Sequence, residues 1–182
     1  MKTIKPCLPV LAVVLVGTLV GCSMKSTKSA AVSDSIRTSL DQAGLKAVSV
    51  TQDREKGVVT LSGNVAADAD KSNAESIAKS VAGAEVVSNQ IAVIPPGAAS
   101  DAKKMNSDLD KGIEGNLDAA LIQGRLHESV KYAVKNEVVT LTGDVDSQSK
   151  RAQAQDVAAA VPNVQQVVNE LQVKEQKASS SN

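Results

Sequence analysis

His127 is the only histidine in the 182-residue chain and the first candidate for proton transfer. A catalytic imidazole needs an acid to orient it and a nucleophile to serve, and a metal-bound one needs companion ligands. Glu128 is adjacent, but neighbours on a helix do not face each other. The plain reading is a solvent-exposed histidine near a helix end. Asn89 and Asn169 each interrupt an alternating apolar run, at matching places in the two halves of the chain. An amide repeated in both halves suits a bond to backbone at a helix–strand junction better than a site. Arg125, Lys150 and Arg151 are the candidate phosphate contacts, with Lys103 and Lys104 nearby. Asp108, Asp110, Glu114, Asp118 and Asp144 are scattered among them, so a solvated mixed-charge surface is the competing reading. No glycine-rich phosphate loop follows a strand, and no nucleophile elbow or metal-spaced cluster occurs. These residues point away from an enzyme: no catalytic and no metal-ligating position is assigned.

What positions these residues is a repeat. Val58–Val65 (VVTLSGNV) returns as Val138–Val145 (VVTLTGDV), and 12 of 36 positions agree without a gap over 58–93 against 138–173. Two copies of one small domain follow. Within the octet Val59, Leu61, Gly63 and Val65 share a face, which predicts a strand with one buried side. A glycine on that side would let a helix backbone come close. In copy one, Val32, Ile36 and Leu40 mark a helix stopped by Gly44. Val48 and Val50 mark a first strand, and Asp53 to Gly57 a polar hairpin loop. A second helix runs from about Asp70 to Ala82, where Asp68 and Asp70 suit the helix dipole. Gly83 ends it, and Val87, Ile91 and Val93 form a third strand. In copy two Ile113, Leu117 and Leu121 repeat the first helix. Its start stays open, because Met105 and Leu109 continue the spacing while Gly112 and Gly115 oppose it. Val130, Tyr132 and Val134 follow, with Tyr132 packing or capping in its sheet, then a shorter loop, Lys135 to Glu137. Ala154, Val157, Ala158 and Val161 mark a helix ended by Pro162-Asn163, and Val167, Leu171 and Val173 the last strand. Each copy reads α-β-β-α-β. A hairpin plus a helical crossover makes a three-stranded mixed sheet with two helices on one face, an α+β fold.

Lys2 and Lys5 precede an apolar run, Leu8–Val20, too short to span a bilayer as a helix, which takes about 20 residues. It ends in Leu19-Val20-Gly21-Cys22, which resembles the lipobox of bacterial lipoproteins. That resemblance implies cleavage before Cys22, a thioether to diacylglycerol and an N-acyl lipid, and no other cofactor. Ser23, where an Asp would favour inner-membrane retention, points to the periplasmic face of the outer membrane. Two or more acyl chains anchor stably, at ~0.8 kcal/mol per buried CH₂. With Cys7 removed and Cys22 lipidated, no disulfide or cysteine site remains. Losing Lys2 and Lys5 leaves a formal charge of −2, which removes bulk attraction to nucleic acid or an anionic surface. With no Phe, no Trp and one Tyr, cores must be aliphatic and base or sugar stacking is excluded. About 65 residues per copy makes a marginal core, so packing between copies is expected to help.

The element order, with GVVTLSGNV in copy one and VPNVQQVVNELQV closing copy two, is similar to the BON domain. A lipobox before two such domains resembles the dual-BON lipoproteins. Without the anchor, two domains would resemble the osmotically inducible periplasmic proteins. The organisation expected is a signal peptide over 1–21, a tether over 22–30, a BON domain over 31–94, a linker over 95–107, a second BON domain over 108–174 and a disordered tail over 175–182. The resemblance implies no catalysis. It implies binding of phospholipid, particularly anionic lipid, and maintenance of envelope integrity. For this chain that reads as binding phospholipid or envelope partners and supporting the outer membrane under envelope stress, with nucleic acid set aside by the charge balance. Arg125, Lys150 and Arg151 are then the headgroup candidates. Dual-BON lipoproteins use bulky side chains on the first helix of the second domain to engage lipid. The matching stretch here, Leu117–His127, has no aromatic residue, and Ile122 is its only large apolar side chain off the buried stripe. A stress-induced chaperone-like or scaffolding protein is the alternative.

Overall fold

The computed structural model describes residues 29–174. The expected signal peptide over 1–21, Cys22 and the expected tail over 175–182 lie outside them. Copy one comprises α1 (Ser33–Gln42), β1 (Val48–Asp53), β2 (Val58–Val65), α2 (Asp68–Ala82) and β3 (Val86–Val93). Copy two comprises α3 (Ala99–Gln123), β4 (Val130–Lys135), β5 (Val138–Val145), α4 (Gln148–Ala159), β6 (Gln166–Asn169) and β7 (Gln172–Val173). In each sheet the hairpin is antiparallel and the strand after the crossover helix pairs parallel, in the order β1-β2-β3 and β4-β5-β6. The expected α+β class and mixed sheets are what the chain adopts.

Alternation decides the cores. Val59, Leu61, Val87 and Ile91 meet Ile36 and Leu40 of α1 and Ala74 and Ala78 of α2, all buried. Val139 and Leu141 meet Leu117, Leu121, Ala154 and Ala158 in the same way. Alanine on the crossover helices brings them close to the sheets, and aliphatic side chains fill both layers, with Tyr132 of β4 the one aromatic side chain packed against the second.

The repeated glycine has a different neighbour from the one expected. A Cβ on Gly63 would strike the carbonyl oxygen of Ala47, and one on Gly143 that of Ser129. Both oxygens precede the paired edge strand rather than belong to a helix. At φ of 120° and 122°, both positions also favour glycine for their backbone.

Three further differences have local causes. First, α3 starts at Ala99, so the linker expected over 95–107 is mostly helix, continuous through Gly112 and Gly115. Leu109 packs against the second core, and that tertiary contact outweighs the glycine propensity. Second, α4 stops at Ala159, earlier than Val161, because Pro162 disfavours helix in the residue before it. Third, the last strand is split into β6 and β7. Glu170 N–H still donates to Leu141 O at 2.9 Å across the break.

The end of the expected tether is also pinned. Ser29 N–H donates to Arg54 O at 2.9 Å, Arg54 Nε returns a bond to Ser29 O at 2.7 Å, and Gln52 Nε2 donates to Ala30 O at 2.6 Å.

The copies pack on each other. Val58, Val138 and Val168, on the sheet faces away from the helices, form a third buried cluster. The Gln166 amide imitates a peptide group there. Its Oε1 accepts from Asn89 N–H at 2.9 Å, and its Nε2 donates to Val87 O at 2.5 Å, which closes the open edge of β3. Lys56 Nζ meets Glu170 Oε2 at 2.6 Å, and Asn136 Nδ2 donates to Gln90 O at 2.7 Å. Positions 56 and 136 are equivalent in the repeat, as are 90 and 170. One contact is therefore made twice, and the copies are related by a pseudo-twofold axis.

Candidate functional site

The C-terminal end of α3 gathers the unusual side chains of copy two. With Leu117 and Leu121 buried, Asp118 and Ile122 fall one position round the helix, spaced i, i+4 on an outer flank. Ile122 is 55% exposed, an apolar side chain the core does not claim.

The helix ends in a Schellman motif. Leu126 N–H donates to Leu121 O at 2.9 Å and Arg125 N–H to Ile122 O at 3.0 Å. Copy one closes α1 identically, from Leu45 to Leu40 at 2.9 Å and from Gly44 to Asp41 at 3.1 Å. There the left-handed position is Gly44, at φ 79°, as expected; in copy two it is Arg125, at φ 55°. The chain then turns back, and His127 Nε2 lies 3.0 Å from Asp118 Oδ1. The Tyr132 hydroxyl donates to the same oxygen at 3.1 Å. Burial, then the bond and charge of Asp118, push the Tyr132 hydroxyl above its ordinary value. Ile122, Arg125, His127 and Glu128 line an open cleft of about 390 Å³ here.

His127 thus has the orienting acid that its neighbour Glu128 could not be. Sequence reading missed Asp118 in this role because nine positions and a helix end separate the pair. None of the four lining residues is Ser, Thr or Cys, so the cleft offers a cation and an apolar side chain rather than a nucleophile. Among the described residues no group of three or more His, Cys, Asp or Glu could hold a metal ion.

The three candidate cations have separate situations. Arg125 lines the cleft. Lys150 Nζ pairs with Asp146 Oδ2 at 2.7 Å. Arg151 donates to Leu171 O and Asn169 O, each at 3.0 Å, which ties α4 to the broken last strand. Cys22 lies outside the described residues.

The repeated asparagines are structural in both copies. Asn89 Nδ2 donates to Lys71 O at 3.2 Å and Glu75 Oε2 at 3.0 Å, and its Oδ1 accepts from Ile91 N–H at 3.4 Å. Asn169 makes the same set with Arg151 O at 3.0 Å, Gln155 Oε1 at 3.2 Å and Leu171 N–H at 3.2 Å. Burial alone would push the Glu75 carboxyl up. The bonds from Asn89 and Lys79 and the charges of Lys79 and Lys71 outweigh it and hold the group below its ordinary value.

Comparison with a family model agrees with this two-copy architecture. The BON domain model matches residues 28–95 and 109–175. Osmotically-inducible protein Y of Escherichia coli (strain K12) is 31% identical over 137 residues, spanning 74% of this chain and 67% of that protein. Two solved chains of CdsD, described as a structural protein of the type III secretion system of Chlamydia trachomatis, align over 79% of this chain. Their TM-scores are 0.32 and 0.31, at 13% and 15% identity. The chain spans 65% and 62% of their lengths, under two thirds.

Proposed function

This chain belongs to the BON-domain family, and from that premise we propose a non-catalytic envelope protein, lipid-anchored through Cys22 at the periplasmic face of the outer membrane. In this reading its second domain contacts anionic phospholipid through the end of α3 and supports barrier integrity. The observation that carries the reading is the pairing of an exposed Ile122 with Arg125 in one cleft. An apolar side chain beside a cation suits a bilayer surface, where the chain enters the acyl boundary and the cation meets phosphate. It stands on the helix where the family resemblance places lipid contact, with isoleucine in place of an aromatic. Because Lys150 has an acid partner and Arg151 is spent on carbonyls, Arg125 is the headgroup contact we carry forward.

Vesicle flotation of the full chain carrying Cys22→Ser separates domain binding from the anchor. Anionic vesicles should capture it at low salt and release it at high salt, with zwitterionic vesicles capturing less. Arg125→Glu should weaken capture by up to about thirtyfold, as two units of charge at ~1 kcal/mol each allow. Absence of capture by any vesicle would sink the lipid contact. Membrane association would then rest on Cys22, tested by palmitate labelling of the unsubstituted chain.

The likeness to osmotically-inducible protein Y favours a second reading, a chaperone-like or scaffolding protein induced by osmotic stress. It predicts suppression of client aggregation with no preference among lipids.

A further inference from the structure

Each sheet has two outer edges, and three of these four carry named caps. Gln166 closes β3. Arg151 takes two carbonyls along β6 and the residues after it. On β1, Arg37 Nη2 donates to Val50 O at 3.3 Å, and Ser29 and Ala30 lie against the hairpin end. The fourth edge is β4.

Parity shows which β4 groups point outward. Val130 N–H leaves the ladder to donate to Leu126 O, and Asn136 N–H does so to Asp110 Oδ2 at 2.9 Å. Tyr132 and Val134 lie between them on the same alternation, so their N–H and C=O groups face away from β5. No partner for these outward groups is found among the described residues. The cap used in copy one is lost by substitution: the position of Arg37 is taken by Asp118. A carboxylate cannot donate to the Tyr132 carbonyl, and Asp118 bonds the Tyr132 hydroxyl and His127 instead.

We propose that the outer edge of β4 is a docking site for an extended acidic segment of a partner protein, added as a further strand. Lys131, Ala133 and Lys135 are exposed on the face away from the helices. Two lysines flanking an alanine at alternate positions would oppose acids on an added strand. They also argue against a second copy of this chain, because antiparallel β4–β4 pairing centred on Ala133 sets Lys131 opposite Lys135. On the helix side Val134 and the Tyr132 ring are half-buried and Glu114 and Asp118 stand nearby, so the partner's side chains there are apolar and not acidic. Backbone bonds hold such a strand and alternate side chains select it. This site is independent of the lipid contact.

The probe is a synthetic hexapeptide alternating valine with glutamate, compared with one alternating valine with lysine, both mixed with the full chain. Amide exchange at Tyr132 and Val134 should slow by about tenfold or more with the glutamate peptide at saturation and stay unchanged with the lysine peptide. Val134→Pro removes an outward N–H without touching the β5 ladder. It should abolish the effect while the Lys131, Ala133 and Lys135 amides stay protected. Replacing Lys131 and Lys135 by Glu should reverse the preference. Equal response to both peptides, response to neither, or slowing that depends only on the chain's own concentration would overturn the proposal.

Discussion

A residue in the left-handed region costs about 1–2 kcal/mol unless it is glycine, and Arg125 occupies that region where copy one uses Gly44. Arg125→Gly should therefore raise the urea unfolding free energy by about 1 kcal/mol while weakening vesicle capture. A variant both more stable and less membrane-bound would locate the role of Arg125 in binding. Loss of stability instead would show that the guanidinium packs in the fold. Glu75 makes a prediction in pH. Its carboxyl is held below its ordinary value of 4.5, so it contributes stability that is present above that value and lost as pH falls through the depressed one. Glu75→Gln cannot lose that contribution. Acid titration of stability should be flatter for it below about pH 4.5 than for the unsubstituted protein. Equal slopes would mean that the bonds from Asn89 and Lys79 do not depend on the charge.

At the scale of elements, the β4–β5 hairpin turn is fixed by a side chain from another element. Asn136 and Glu137 have φ of 48° and 66°, a two-residue type I′ geometry in which the second position is usually glycine. Asp110 of α3 holds the turn, accepting from both turn amides at 2.9 Å. Glu137→Gly should stabilise by about 0.5–1 kcal/mol. Asp110→Ala should destabilise by about 1–3 kcal/mol by leaving turn amides unsatisfied. Thermal melts of the two variants should move in opposite directions. Gly63→Ala meets both a carbonyl and an unfavourable φ, and a loss of ~3 kcal/mol is expected. A melt within a degree of the original would contradict the close approach of Ala47.

At the scale of the molecule, the pseudo-twofold interface joins two small cores into one unit. Val168 is buried with Val58 and Val138 between them. Val168→Asp places a carboxylate in that cluster, where an unpaired charge is expensive. Calorimetry should show one transition for the unsubstituted protein and two for the variant, the copies unfolding separately. A single transition at unchanged temperature would mean that the interface contributes little to cooperativity.

Periodicity, turn residues and self-similarity sufficed for the element order, the mixed sheets, the buried faces and the structural asparagines, because alternation and local backbone preference operate over a few residues. Gly44 as a helix stop and Asp68 and Asp70 at a helix start are of that kind. The Asp118–His127–Tyr132 cluster, the contact of Gly63 with Ala47, the helical linker and the capping of β3 by Gln166 were decided only by tertiary structure. Each joins groups that are distant along the chain or overrides a local preference such as that of Gly112. Whether a strand edge is covered or open depends on what folds against it, and that is a property of the assembled copies rather than of any stretch of sequence.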